Sequence, residues 1–278
     1  MKRAFCNEII EAPGSNRRWI EGLESVRSLG YEGVEIAPFT LADDPTKLDP
    51  KDLRSIRLCL EQADLRCIGF HWLWNAPSGL RALHPDLSIR HKAWDTLRVL
   101  AMQCAELGGE FLVLGSGKQR SFEGISSLEA RSMFLEELAR LLPALEEAGV
   151  ALLLEPLPRS STNFINTLEE VLSLLREIDS PFLGAIFDFH NTTEETLPWD
   201  ALVEKFGHCI RHVHFNGMNG RLPSPGDPSY ASVFRSLRKR GYTGWVSVEL
   251  FGKFSDPEAM LKRARDLLET YGYENNPS

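Results

Sequence analysis

The sequence predicts an α/β protein built as one (β/α)8 barrel, a single domain over residues 1–278. Three observations carry that expectation. Apolar runs of strand length alternate with helix-period segments eight times, which implies parallel strands joined by right-handed crossovers. Residues 150–163, VALLLEPLPRSSTN, form an apolar run that ends in the lone carboxylate of Glu155 and is stopped by Pro156 and Pro158; such runs belong to strands buried on both faces. The same pattern returns in FLGAIFD ending at Asp188, CIRHVHF carrying His214 and WVSVEL carrying Glu249. The separations are 33 (188 − 155), 26 (214 − 188) and 35 (249 − 214) residues, each about one strand-plus-helix unit of a roughly 250-residue barrel. Neither GxGxxG nor GxxxxGK[ST] occurs, which removes the main signals of an open nucleotide-binding sheet.

Taken in order, RAFCNEI (3–9) reads as the first strand. A helix follows over 16–29, capped by Ser15 or Asn16 and closed by Gly30. GVEIAPF (33–39) is the second strand, 50–63 a helix, and LRCIGFHW (65–72) the third strand before a long Trp/Asn/Pro/Gly loop. A helix over 88–107 ends at Gly108-Gly109, EFLVLG (110–115) is the fourth strand, and SGKQRSFEG reads as loop. The next helix covers 127–148, with Ser127 and Glu129 at an acidic start and Gly149 at its close. Strand five is the 150–155 run. Thr167 and Glu170 form a capping-box pattern for a helix over 167–178. Strand six, a short helix over 198–206, strand seven, a helix near 230–240, strand eight and a helix over 256–271 complete the count.

With 43% apolar and 25% charged residues the chain can bury a sizeable core. A net charge of −8 and a pI near 5.5 oppose duplex nucleic acid as a partner. No apolar run reaches 18 residues and MKRAFCNEIIEAPGS lacks a signal-peptide core, so neither membrane nor export is expected. Five cysteines without CxxC spacing fit reduced thiols in a cytoplasmic protein.

The active site of such a barrel lies at the C-terminal ends of its strands. Singly, a carboxylate at a strand end is usually a cap or ion-pair partner, and a strand histidine a satisfied core residue. Glu, Asp, His and Glu on four successive strands, all at the same end, do not reduce to that. This oxygen-rich, thiolate-free set suits one divalent cation of intermediate hardness, best Mn²⁺, with Mg²⁺, Co²⁺ or Zn²⁺ as alternatives.

These segments resemble the sugar isomerase/epimerase family with the xylose-isomerase-like barrel, which also holds ketose 3-epimerases, hydroxypyruvate isomerase, inosose dehydratase and endonuclease IV. LLLEPL, IFDFHN, RHVHFN and VSVEL match its four ligand segments in order and spacing, and GVEI, GFHWL, LGGEFLVLGSGKQRS and EPLPRSSTNFINT extend the likeness over nearly the whole chain. The resemblance implies that Glu155, Asp188, His214 and Glu249 bind the metal and that Glu155 and Glu249 also act as the acid/base pair. The resemblance extends to sugar phosphate isomerases/epimerases and implies a sugar, ketose or sugar phosphate as substrate. The ion polarises its carbonyl, one glutamate removes the neighbouring C–H proton, and the fate of the enediolate decides between epimer and isomer. A polyol or keto-acid dehydratase, or a barrel that only binds a small molecule, are the alternatives. Relatives are often dimers or tetramers, so a homo-oligomer is possible.

Two departures bear on substrate contacts. Ketose 3-epimerases carry a His three residues after the strand-six Asp, where this chain has Asn191 with His190 before it. They carry an Arg six residues past the strand-seven ligand, where this chain has Gly220 followed by Arg221. Asp227-Pro228-Ser229 and Asn191 also lack the histidines of the endonuclease IV trinuclear zinc site. Among the other candidates, His71 beside Trp72 and Trp74 can bond a sugar hydroxyl over an aromatic wall. Lys118, Gln119 and Arg120 follow Gly115-Ser116-Gly117 and can hold an anion, as can Arg159 and Arg221. Glu35 is placed to orient substrate or pair with a cation. His212 faces the same way as His214 and supports it from behind.

Overall fold

The computed structural model describes residues 1–10 and 16–273. Eight parallel strands close into a barrel in sequence order: β1 (Lys2–Cys6), β2 (Gly33–Ile36), β3 (Arg66–Phe70), β4 (Phe111–Leu114), β5 (Ala151–Leu154), β6 (Leu183–Asp188), β7 (Ile210–Phe215) and β8 (Trp245–Val248), with β8 pairing back onto β1. The crossovers are α1 (Asn16–Ser28), α2 (Pro50–Gln62), α3 (Leu87–Glu106), α4 (Gly117–Arg120), α5 (Ser127–Ala148), α6 (Leu168–Glu177), α7 (Trp199–Phe206) and α8 (Pro228–Lys239), and α9 (Pro257–Thr270) follows β8.

Alternation along each strand divides two cores. Ala4, Ile68, Phe111, Val113, Ala151, Leu153, Ile186 and Trp245 fill the barrel interior. Their neighbours, such as Phe5, Leu112, Leu152, Phe187 and Val213, face the helices. The interior is tight: a Cβ on Gly33 would lie 2.5 Å from Ile68 Cγ2, and one on Gly69 2.5 Å from the Phe111 ring. This packed floor supports a polar layer above it, because the next inward positions on β1, β2, β6 and β7 are Cys6, Glu35, Asp188 and His214.

Several elements differ from the sequence expectation. The first strand stops at Cys6 rather than residue 9, because Asn7–Ile9 turns into a 3-10 helix whose Asn7 accepts from the Ala37 N–H (2.7 Å) and donates to Thr40 Oγ1. The 116–124 loop contains α4. Ser126, not Ser127, caps α5 in a capping box with Glu129. Thr167 caps α6, yet the Glu170 carboxylate reaches the Asn166 N–H and leaves the box open. The cap expected at Ser15 or Asn16 lies outside the described residues and side chains. All five cysteines are free thiols. No helix among the described residues is long and apolar enough to cross a membrane.

Candidate metal centre and substrate cavity

The tips of β5 to β8 bring four side chains together. Glu155 follows β5, Asp188 ends β6, His214 is the penultimate residue of β7, and Glu249 follows β8. His214 Nδ1 lies 3.8 Å from Glu155 Oε1, 4.0 Å from Asp188 Oδ2 and 3.3 Å from Glu249 Oε2. All four residues are buried. Glu155 is held at its angle by Asn191, whose amide donates to Glu155 Oε1 (3.1 Å) and to Asp188 Oδ2 (2.5 Å). Gly115 leaves the space for it: a Cβ there would lie 2.1 Å from Glu155 Oε2.

Behind the tips, the Glu35 carboxylate accepts from His212 Nε2 (2.7 Å) and His214 Nε2 (3.0 Å). That bond fixes the His214 ring so that Nδ1 faces the three carboxylates, as partners behind a ligating histidine do. On the β1 side, His71 Nε2 donates to Glu8 Oε2 (3.0 Å) while its Nδ1 stands 3.5 Å from Glu249 Oε1. Asn216 completes the frame, donating to Glu249 Oε2 (3.3 Å) and accepting from the His190 N–H (2.9 Å).

The electrostatics follow from this crowding. Burial pushes the Glu155 carboxyl well up, and Asp188 beside it pushes further. Asp188 is raised by burial and by Glu249. Burial would raise Glu249 too, but His214 and His71 outweigh it and bring the carboxyl down to about 2. Glu35 is likewise held well below the usual carboxylate range, His214 and His212 outweighing its burial. For His71 burial favours the neutral ring, yet Glu8 and Glu249 overcome it and raise the imidazole to about 10.

Glu155, Asp188 and His214 each offer a ligand atom within 4.8 Å of the others. His214 Nδ1 is buried with no hydrogen-bond partner and aims at the carboxylates. Glu249 lies outside that trio, in a neighbouring one with Cys6, Glu8 and His71, although its carboxylate stands 3.3 Å from His214 Nδ1. Carboxylates around an imidazole nitrogen suit a divalent cation. The residues present therefore fit the group.

A cavity of about 410 Å³ opens above them, lined near the centre by His71, Glu155, Asn191 and Glu249, and toward its mouth by Trp72, Phe251, Lys118 and Ser161 among others. Trp72 and Phe251 meet edge to face (6.2 Å) and the His190 ring rests on Phe251 (5.0 Å). His190 also donates from Nδ1 to the Met218 carbonyl (2.8 Å).

Five expectations are corrected in whole or in part. Of the two readings of Glu35, contact with substrate fails, because it is fully buried and outside the cavity lining, while pairing with a neighbouring basic group holds, to His212 and His214. Arg120 is also fully buried, donating to the carbonyls of Leu114 (2.8 Å), Glu155 (2.7 Å) and Ile165 (3.0 Å); its guanidinium ties loops together and meets no external anion. Arg221 sits over the Phe254 ring (5.5 Å), away from the cavity. Trp74 is buried with its indole N–H on the Ala93 carbonyl, so Trp72 and Phe251 form the aromatic wall instead. Arg159 is paired with Glu194 (3.5 Å). Gly220 is required where it stands: φ is +70° and a Cβ would lie 2.1 Å from the Phe251 ring, so no arginine fits there.

The sequence reading missed Glu8 and Asn216. Asn216 had a signal, continuing the inward parity of His212 and His214; Glu8 had none, because it lies in the 3-10 helix Asn7–Ile9 beyond β1.

Fold and site together define a closed parallel barrel that carries a carboxylate-rich, histidine-anchored centre at the C-terminal ends of its strands. Residues 23–271 match the family model of the xylose isomerase-like TIM barrel, and the chain belongs to that family. It is 33% identical over 246 residues to a probable ketose 3-epimerase of Synechocystis sp., covering 84% of this chain and 79% of that one. It is 23% identical over 252 residues to fructoselysine 3-epimerase of Escherichia coli O157:H7, covering 87% and 88%. A D-psicose 3-epimerase from Clostridium cellulolyticum H10, solved with D-tagatose, superposes with a TM-score of 0.80 at 20% identity, covering 98% and 99% of the two chains.

Proposed function

We propose that the protein is a divalent-metal-dependent isomerase or epimerase of a ketose-type sugar, working through an enediolate, with Mn²⁺ as its ion and Glu155 and Glu249 as its acid/base pair. The observation that carries this reading is the convergence of two separately oriented glutamates on one open cavity, with the unpartnered His214 Nδ1 between them. The relatives support the substrate class, being named for epimerisation of ketoses and of fructoselysine.

Glu155, Asp188, His214 and Glu249 would hold the ion, which supplies polarisation of a substrate carbonyl and stabilisation of the negative charge that develops on it. The chain's own residues do the rest. One glutamate removes the C–H proton beside the carbonyl, and the other returns a proton from its own side. Each is positioned separately, Glu155 by Asn191 and the gap at Gly115, and Glu249 by Asn216 and His71. General-base help of this kind is worth about 10² to 10⁴-fold. Trp72 and Phe251 form an aromatic wall of the cavity.

Metal content tests the reading. Purified protein dialysed against Mn²⁺ binds about one ion per chain, and Asp188→Asn and His214→Ala lower both occupancy and ketose turnover. Full occupancy in both variants would remove these side chains from the ion.

A further inference from the structure

We infer that the substrate carries an anionic group, a phosphate or carboxylate, remote from the reacting carbon, and that Lys118 at the cavity mouth receives it. This rests on the sugar isomerase/epimerase reading and narrows its substrate class. The inner part of the cavity is lined by the carboxyl groups of Glu155 and Glu249 and the imidazole of His71. Lys118 is the one cationic side chain among the lining residues, apart from His71 and His190 near the centre.

The nearby arginines are committed, and Lys253 lies outside the cavity lining. Arg120 is bound to three carbonyls, Arg159 lies against Glu194 and Glu170, and Arg221 covers Phe254. Lys118, by contrast, has no carboxylate within ion-pair distance among the described residues. Its neighbours at the mouth are Gln119, Ser160 and Ser161, hydrogen-bonding groups that carry no opposing charge. Gly117 lets the two loops close on each other there, since a Cβ on it would lie 2.7 Å from the Ser161 carbonyl.

The result is a gradient along one cavity. Carboxylates and imidazoles act at the closed end, and an unneutralised ammonium with two hydroxyls and an amide stands at the open end. A neutral sugar offers that ammonium hydroxyl oxygens but no opposing charge. A phosphate or carboxylate at the far end of a ketose chain does, through a charge-assisted hydrogen bond.

The experiment compares a ketose, its terminal phosphate ester and a ketose ending in a carboxylate, using metal-loaded wild type, Lys118→Gln and Lys118→Arg. The wild type is expected to favour an anionic substrate over the neutral one by about tenfold or more in kcat/KM, the worth of one charge-assisted hydrogen bond. Rising ionic strength weakens that preference. The preference collapses in Lys118→Gln and is largely kept in Lys118→Arg, and whichever anion shows the larger ratio identifies the group. Equal kcat/KM for neutral and anionic substrates, or an unchanged ratio in Lys118→Gln, overturns the inference while leaving the isomerase/epimerase reading intact. Absence of turnover with every substrate, with the ion bound, removes that reading and the inference together.

Discussion

Replacing Gly115 by alanine tests whether the Glu155 carboxylate is positioned by the bare backbone beneath it. The new Cβ would stand 2.1 Å from Glu155 Oε2 and 3.3 Å from its Cδ, whereas real Cβ contacts essentially never fall below 3.0 Å. The carboxylate must therefore retreat by about 1 Å. The backbone is not the obstacle, since Gly115 is absent from the positive-φ glycines, and Gly→Ala at a compatible site adds about 0.4–1 kcal/mol of stability through the unfolded chain. A 1 Å misplacement at a reacting centre costs about 10²-fold in rate. Gly115→Ala is expected to keep its Tm within a few degrees of wild type while losing about two orders of magnitude in kcat and binding Mn²⁺ more weakly. The assays are differential scanning calorimetry, metal titration and turnover of the best ketose substrate. Full turnover in a folded Gly115→Ala would refute the positioning argument, because no acid/base or ligand role survives such a displacement unaltered.

Two further outcomes follow from the buried and exposed carboxylates. Glu35→Gln leaves His212 and His214 without their shared charge partner and should cost about 3 kcal/mol in urea unfolding of the metal-free protein, with metal affinity weakened about 10 to 100-fold; wild-type stability would show that the charge contributes nothing. Asp86 caps α3 by accepting from the N–H groups of Ser88 and Ile89, and these bonds with the Ser88 hydroxyl hold its carboxyl below the usual range. Its folded pKa is depressed, so its contribution is present above the unfolded carboxylate pKa and is lost as pH falls through the folded value. Asp86→Ala should therefore lower Tm at pH 7, and the gap should close in acid; a gap that stays constant down to pH 2 would contradict the capping role.

The barrel was legible because parallel strands buried on both faces read as unbroken apolar runs, and because α/β alternation admits few topologies. The convergence of Glu155, Asp188, His214 and Glu249 was legible for the same reason: strands of fixed direction put their C-terminal residues at one end. What failed was the direction of side chains beyond those ends. Arg120 reads as an anion ligand in the string GSGKQR, but the single turn of α4 rotates it inward onto three carbonyls and leaves Lys118 at the cavity. Glu35 reads as a tip residue open to substrate, yet it is fully buried and its carboxylate is taken up by His212 and His214. Trp74 and Trp72 are indistinguishable in sequence. The left-handed backbone at Trp72 (φ 52°) separates them, sending one to the cavity and leaving the other in the core.

In the proposed reaction two metal-bound glutamates move a proton at a carbon next to a carbonyl. Solvent deuterium incorporation tests it most directly, measured by mass spectrometry on a panel of ketoses and ketose phosphates in D2O with Mn²⁺-loaded protein, chelated protein and Glu155→Gln. The account predicts deuterium at the carbon beside the carbonyl with the loaded wild type, none after chelation, and turnover lost in Glu155→Gln although the variant remains folded. Product formed without deuterium, or exchange unaffected by chelation and by Glu155→Gln, would contradict it.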